Sequence, residues 1–539
     1  MGRNCILFEY GDDIIMVDLG LQFPEEDMPG IDYIIPNMSY LRGKEKNIRG
    51  IIITHGHYDH IGAVPHVMGR IGNPTIYGTK LTLGIIRKRQ EDFTSSPKLN
   101  LQEVDDSARL HLGIFEVEFF GVTHNIPDSM GVVIHTPEGI LVHTGDFKLD
   151  LQPTGGTALN IAKIAQLNDK NVLLLMQDST NAYQTGHQLS EAEIQKNLDD
   201  IIGNAPGRII IATFSSMIGR IRQIISVAEK LERKIAIEGY SMRTNVELAK
   251  ELGYLNFNKS TIIPSNELHK YPERGVMVLC PGAQGEERAA LSRIVNREHR
   301  SLSIQPGDTV VFSSSVIPGN ERSVQRLKDA LYRQGANVIH YQMMDVHAGG
   351  HAKQEDLKLM YRLVNPQYFM PVEGNHSFLR VHAKLIEDMG HAKEKIFIPD
   401  NGQVVEFRDG AGLVTSERVP ADYVFVDGLG VGDTNQVVIR DRQMLSDDGM
   451  VVIIATIDGK SGKLLGSPDI ISRGFNYMKE NKELVERMRS KVKGILRDGE
   501  PKMAADDDEI KNKLRNDIGQ FLFSMTQRRP MILPVIIKV

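Results

Sequence analysis

The stretch Ile51-Ile52-Ile53-Thr54-His55-Gly56-His57-Tyr58-Asp59-His60 decides the fold. Its short β-branched apolar run predicts a buried strand that delivers His55, His57, Asp59 and His60 into one tight turn. Alternate residues of an extended segment share a side, so His55 and His57 are placed to grip one cation together. Asp59 and His60 follow where Ile61 to Met68 predicts the start of a helix, and they point elsewhere. Ligand-type side chains this dense are divided between two neighbouring metal ions. Neutral imidazoles with a carboxylate suit zinc, with manganese favoured where oxygen ligands predominate. A lone histidine would read as a satisfied side chain in a polar loop; this cluster directly after a strand does not.

Working outward, the segment 5–20 alternates as a hairpin turning at Gly11-Asp12-Asp13, and its second strand ends at Asp18. Asp18 is either a simple strand-end turn residue or the acceptor for the ring N–H of a ligand histidine, a role metal sites usually fill. Phe115 to Gly121 is a strand followed by His124, and Gly139 to Val142 is a strand followed by Gly145-Asp146. Strand ends of a layered α/β fold share one rim. His124 therefore completes a three-histidine site for the first metal, and Asp146 bridges the pair.

At 539 residues the chain exceeds what one hydrophobic core normally supports, so two or three domains are expected. A hydrophobic content of 41% with 24% charged residues is ordinary for a soluble globular protein. No apolar run is long enough to span a bilayer and no signal peptide precedes the first strand, so no membrane association is expected. Two cysteines, Cys5 and Cys280, exclude a disulfide framework and a cysteine zinc site, which fits a reducing cytoplasm. The net charge of −6 neither announces a nucleic-acid binder nor excludes one, because a basic groove can sit on an acidic protein.

Residues 190–345 alternate strands and helices, which predicts an inserted parallel sheet covered by helices. Three of its strands run into Thr213-Phe214-Ser215-Ser216, Pro281-Gly282-Ala283-Gln284-Gly285 and Ser313-Ser314-Ser315. Such loops offer backbone N–H groups and helix N-termini to phosphates. Between Arg208 and Arg243 seven Lys/Arg stand against three Asp/Glu, a local basic balance that includes Arg220. From about 346 the chain returns to the first domain, with His347 and His351 flanking a glycine pair. An amphipathic helix from Gln354 to Leu363, a strand from Tyr368 to Pro371 ahead of Glu373, and a helix from Ser377 to Met389 follow. Lys395 to Ile398 and Val404 to Phe407 are expected to close the sheet, and Ala411 to Asp422 is expected to be irregular. The remainder predicts a strand Val451 to Ile457, helices Met478 to Leu496 and Asp507 to Phe523, and a terminal strand from Met531. It carries no catalytic constellation.

The turn 55–60, with Asp18, His124 and Asp146 at their spacings, resembles the metallo-β-lactamase superfamily, whose fold is an αββα sandwich. Asp178-Ser179-Thr180-Asn181-Ala182 and Gly349-Gly350-His351-Ala352 are similar to two motifs of its β-CASP nuclease branch. Three phrases, beginning at Phe23-Pro24-Glu25, at Phe312-Ser313-Ser314 and at Arg529-Pro530-Met531, resemble the ribonuclease J family over essentially the whole chain. The resemblance implies the fold class α/β: a metallo-β-lactamase sandwich (1–189 and 346–425), an inserted β-CASP α/β domain (190–345) and a small α+β C-terminal domain (435–539). It also implies a cytoplasmic, metal-dependent ribonuclease of RNA maturation and decay, endonucleolytic, 5′-to-3′ exonucleolytic or both. The C-terminal domain would support a homo-oligomer, a dimer or tetramer.

Two cations roughly 3.5–4 Å apart would activate a water for in-line attack on an RNA phosphodiester. His55, His57 and His124 are assigned to one metal, Asp59, His60 and Glu373 to the other, and Asp146 bridges. Asp59, Asp178 and His351 are expected to carry the chemistry, with His351 donating a proton to the leaving oxygen. Ser215, Ser216, Arg220, Ser313, Ser314, Ser315, His347 and His351 are expected to contact RNA phosphates. The chain departs from the family in three places. Glu373 replaces the usual late histidine ligand, Met217 and Gly219 stand where relatives often carry Asn and His, and the usual Gly-rich strand ahead of Cys5 is absent, which implies a truncated start or an incorrectly assigned Met1. The rival readings are a lactonase- or thioesterase-type hydrolase using the same metals, a non-catalytic RNA-binding scaffold, and a DNA- or snRNA-processing β-CASP enzyme.

Overall fold

The structure, a computed structural model, describes residues 2–539 except 26, 155–158, 318, 460–462, 476–481 and 498–506. Glu26 and Pro318 of the family-like phrases, and positions 478–481 of the expected helix from Met478, lie outside the described residues. The chain forms two compact units, one of Met1–Gln22 with Ile35–Tyr423, the other of Phe23–Ile34 with Val424–Val539.

In the larger unit, the hairpin Ile6–Tyr10 and Asp13–Val17 opens a five-stranded sheet that continues through Ile48–Ile52, Ile76–Gly78 and Leu101–Glu103. A six-stranded sheet runs in the order Tyr368–Val372, Val172–Asp178, Gly139–His143, Met130–Thr136, Phe115–Gly121, Arg109–Leu112. Apolar side chains of both sheets meet in one cluster, with Ile15, Val17 and Ile52 against Val117, Phe119, Val132 and Ile134. The outer face of the six-stranded sheet is covered by the helices Gln354–Val364 and His376–Asp388, whose Leu357, Met360 and Ile386 pack with Leu175 and Phe369. This is the expected αββα sandwich.

The parallel strands Gly139–His143, Val172–Asp178 and Tyr368–Val372 lie side by side, with Asp178 level with Val372. Their ends deliver His143, Asp146, Asp178 and Glu373 to one rim. The expected helix 61–68 is broken into two short turns, Tyr58–Ile61 and Val64–Val67, at Gly62. A Cβ at Gly62 would lie 2.4 Å from the Leu21 side chain, so glycine is required for this close approach.

The segment 190–345 holds a five-stranded, wholly parallel sheet in the order Lys234–Ile237, Val276–Cys280, Ile209–Ala212, Thr309–Phe312, Asn337–His340. The last of these is an edge strand with an exposed first residue and only Val338 buried. A short helix, Ala290–Val295, follows the strand Val276–Cys280.

Two further expectations are corrected. Lys395 to Ile398 is a 3-10 turn followed by one bridge from Ile396 to Phe369 rather than a strand. Ala411 to Asp422 is not irregular: Ala411–Arg418 pairs antiparallel with Gln403–Arg408, because Val414 packs with Val405 and Phe407 in one apolar cluster.

In the smaller unit, Asp469–Arg473, Met450–Ile457 and Met531–Lys538 form a three-stranded sheet. Its Val451, Ile453 and Ile532 pack on Leu484 and Met488 of Lys482–Arg497 and on Leu514 and Ile518 of Asp507–Thr526. A helix absent from the sequence reading, Gln436–Asp448, is capped by the Asn435 side chain, which accepts from the Val437 and Val438 N–H groups. The family-like segment from Phe23 belongs to this unit, where Asp32 N–H donates to the Val426 carbonyl and Gly428 N–H donates to the Asp32 carboxylate. No helix among the described residues is long and apolar enough to cross a membrane.

Candidate metal centre

His55 and His60 are buried, and Asp18 fixes His60. Asp18 holds a left-handed backbone (φ 62°), a conformation aspartate tolerates better than most residues. Its carboxylate accepts from the Thr54 N–H at 2.8 Å and lies 2.7 Å from Nδ1 of His60. With Nδ1 donating there, Nε2 of His60 faces Asp146 (3.5 Å) and Asp59 (3.6 Å), with Asn4 Nδ2 2.9 Å away. His124 is oriented in the same manner, its Nδ1 donating to the Gly350 carbonyl at 2.8 Å.

Three imidazole nitrogens then converge: Nδ1 of His57 lies 3.1 Å from Nε2 of His55 and 3.2 Å from Nε2 of His124. Burial lowers the pKa of all three, so each presents a neutral ring with a donor lone pair. Asp146 Oδ2 stands 3.6 Å from both His55 and His124 and 3.5 Å from His60. Its donor atom lies within 4.8 Å of those of His55, His57 and His124, and likewise of those of Asp59 and His60. Burial alone would raise the Asp146 pKa, but His60 and His351 outweigh it and hold the carboxyl well below the usual range.

Glu373 closes the rim. It too is left-handed (φ 58°), a strained conformation for a glutamate, worth on the order of 1–3 kcal/mol. Its donor atom groups with those of Asp18 and His60, and Oε1 lies 3.6 Å from Nε2 of His143. Among the described residues neither buried carboxylate oxygen has a hydrogen-bond partner, and burial together with Asp146 raises its pKa well above the ordinary value. A buried carboxylate left in that state is costly, and a cation resolves it. The donor set therefore fits divalent metal. His143 was missed in the sequence; its place at a strand end two residues ahead of Gly145 was the available signal. It accepts the Gly145 N–H at Nδ1, while its own Nε2 has no hydrogen-bond partner among the described residues.

Beyond Asp146, Nδ1 of His351 lies 2.8 Å from Asp178 Oδ2. Burial alone would lower the His351 pKa, but Asp178 and Asp146 override it and push it up to about 9. Thr180, given no role of its own in the sequence motif, donates its N–H to Asp178 Oδ1 and its hydroxyl to the Glu373 carbonyl, tying two strand ends together.

The expected phosphate contacts divide. Ser215 and Ser216 stand half-buried ahead of the helix Ile218–Lys230. Met217, Gly219 and His124 line one cleft together with Asn125 and Thr154. Ser315 Oγ lies 3.4 Å from Nε2 of the buried His347, whose pKa burial pushes down to about 3. Ser314 Oγ accepts from Gln284. Arg220 and Ser313 are tied into one buried network. Arg220 is buried, its guanidinium donates to Gln223, Ser313, the Val346 carbonyl and Glu191, and it lines the same cleft as Met217 and Gly219. Ser313 is consumed in the same network, donating to the Val346 carbonyl. Net basic charge in the sequence could not distinguish a buried, paired arginine from an exposed one.

Fold and site together define a metallo-β-lactamase-type hydrolase, and the chain matches that superfamily over residues 1–175. The ribonuclease J β-CASP domain matches 206–331, a Zn-dependent metallo-hydrolase RNA specificity domain 319–399, and the ribonuclease J C-terminal domain 437–539. The chain is 38% identical to ribonuclease J2 of Bacillus subtilis over 539 residues, covering 100% of this chain and 97% of the relative. It is 39% identical to ribonuclease J 1 of Streptococcus pyogenes over 537 residues, 100% of this chain and 95% of the relative. A crystal structure of a protein of unknown function from Enterococcus faecalis, 17% identical, matches the fold with a TM-score of 0.52 over 77% of this chain and 97% of that one. The chain belongs to the ribonuclease J family, metal-dependent ribonucleases of the β-CASP branch. The small-molecule hydrolase reading is not favoured.

Proposed function

We propose that RNA phosphodiesters are hydrolysed at the rim around Asp146, endonucleolytically and from the 5′ end, leaving a 5′-phosphate on the downstream fragment. The observation that carries this reading is the sharing of Asp146 between the three-histidine group and the group of Asp59 and His60. His55, His57 and His124 would hold one cation, Asp59, His60 and Glu373 the other, with Asp146 between them. Zinc fits the three-histidine group, and the oxygen-rich second group also admits manganese. When bound, such cations supply Lewis acidity and bring the pKa of a water near neutrality. The chain's own groups do the rest. Asp18 and Gly350 orient His60 and His124, and Asp178 holds His351 as the proton donor to the leaving oxygen. Ser215, Ser216 and Ser315 are proposed as the 5′-phosphate contacts.

The proposed division is a split metallo-β-lactamase domain (1–189 and 346–425), a β-CASP domain (190–345) and a C-terminal domain (435–539), in a cytoplasmic enzyme of RNA maturation and decay. Homo-oligomerisation, as a dimer or tetramer, is proposed through the last domain. The exposed Ile471, Leu533, Val535 and Ile537 on its sheet support that reading. The test is digestion of end-labelled RNA carrying either a 5′-monophosphate or a 5′-triphosphate. Shortening from the 5′ end of the monophosphate form and internal cuts in both are expected. Intact RNA with a turned-over acyl ester would overturn the reading.

A further inference from the structure

Tyr183 and Phe378 form a stacked aromatic pair, ring centroids 5.0 Å apart and planes 28° from parallel. Tyr183 is 53% exposed. The place of the pair in the fold is specific. The strand Val172–Asp178 ends at Asp178, and a tight turn follows in which the Ala182 and Gln184 N–H groups donate to the Ser179 and Asn181 carbonyls, carrying Tyr183. The neighbouring parallel strand Tyr368–Val372 leads to Glu373, and the helix His376–Asp388 that follows carries Phe378. A Cβ built on Gly374 would lie 3.2 Å from Phe378 Cβ and 3.6 Å from Ser179 Cβ, so the two segments touch directly behind the site residues. The same turn is locked to the site through Asn181, which donates to the His351 carbonyl at 3.2 Å.

We propose that the outer face of Tyr183, backed by Phe378, is a stacking platform for one unpaired nucleobase of the RNA strand lying in the active site. Every base has an apolar face, so the contact is indifferent to sequence and demands a single strand. Phe378 holds the tyrosine ring in one orientation, which lowers the entropy lost when a base stacks. On the same helix Arg380, exposed, donates to His376 and adds a positive charge near the backbone of such a strand. No metal or proton transfer is asked of the pair. It positions the strand so that one phosphate reaches Asp146 and His351.

The proposal rests on the ribonuclease reading above, and binding separates the two. Full-length protein is titrated into a fluorescent single-stranded RNA by anisotropy, with an intact strand and with a series carrying one abasic ribose at successive positions. Tyr183→Ala is expected to weaken binding of the intact strand about tenfold, and Tyr183→Phe to restore it. One abasic position is expected to weaken binding to wild-type protein by a similar factor and to cost nothing further in Tyr183→Ala. Wild-type-like binding by Tyr183→Ala, or an abasic penalty unchanged in that variant at every position, overturns the platform alone. Wild-type protein that binds no single-stranded RNA overturns both readings.

Discussion

Nδ1 of His351 sits 2.8 Å from Oδ2 of Asp178 and 3.9 Å from Oδ2 of Asp146. One histidine is thus held between a carboxylate at the end of its own strand and the carboxylate common to both metal groups. His351→Ala is expected to lower RNA cleavage by about 10²–10⁴-fold while metal content stays unchanged, because general acid catalysis is worth that much and His351 is not assigned as a ligand. Single-turnover rates together with metal analysis check this. A variant that loses metal in proportion to rate would make His351 a ligand instead.

Gly350 is expected to tolerate no side chain. A Cβ there would lie 2.5 Å from Cε1 and 2.7 Å from Nδ1 of His124. Gly350→Ala should therefore displace His124 and reduce occupancy of the three-histidine group, measured as metal bound per chain. Full occupancy and wild-type cleavage would show that the loop relaxes freely.

Glu373 is expected to serve the group around His60. Glu373→Ala should lower metal stoichiometry to about one per chain at limiting metal, with Glu373→His restoring it. Two metals per chain and full activity in Glu373→Ala would remove Glu373 from the ligand set.

The first turn, the strand ends at Asp18, His124 and Asp146, and the parallel inserted sheet were all legible in the sequence, because strand-then-ligand spacing is local information. What was not legible depends on distant packing. The sequence shows Arg220 only as local basic charge, whereas its guanidinium is spread over Gln223, Ser313, Val346 and Glu191. His143 and Thr180 gain meaning only when three parallel strands set His143, Asp178 and Glu373 side by side. The strand Ala411–Arg418 was hidden because its half-exposed alternation carries little apolar signal.

Acid stability should report the Arg220 tie. Burial alone would raise the pKa of Glu191, but Arg220 and Lys148 override it and hold it at about 2, below the ordinary value of 4.5. Because the folded value is depressed, this stabilisation is complete above about pH 4.5 and is lost as pH falls towards 2. It amounts to about 3 kcal/mol. Glu191→Gln should lower the urea midpoint at pH 7 and flatten its fall between pH 5 and pH 3. An equally steep acid limb in that variant would remove Glu191 from the account.

The C-terminal assembly is checked by placing a charge on the exposed sheet face. Val535→Asp with Ile537→Asp should give a smaller particle by light scattering with a folded chain. An unchanged subunit number would move the interface elsewhere.

Most direct for the central claim is RNA cleavage by metal-stripped protein before and after divalent cation is restored, with His57→Ala in parallel. Cleavage should vanish on stripping, return with about two cations per chain, and stay absent in His57→Ala although that variant still binds RNA. Cleavage that persists in the stripped protein, or in His57→Ala, would contradict a ribonuclease built on the rim around Asp146.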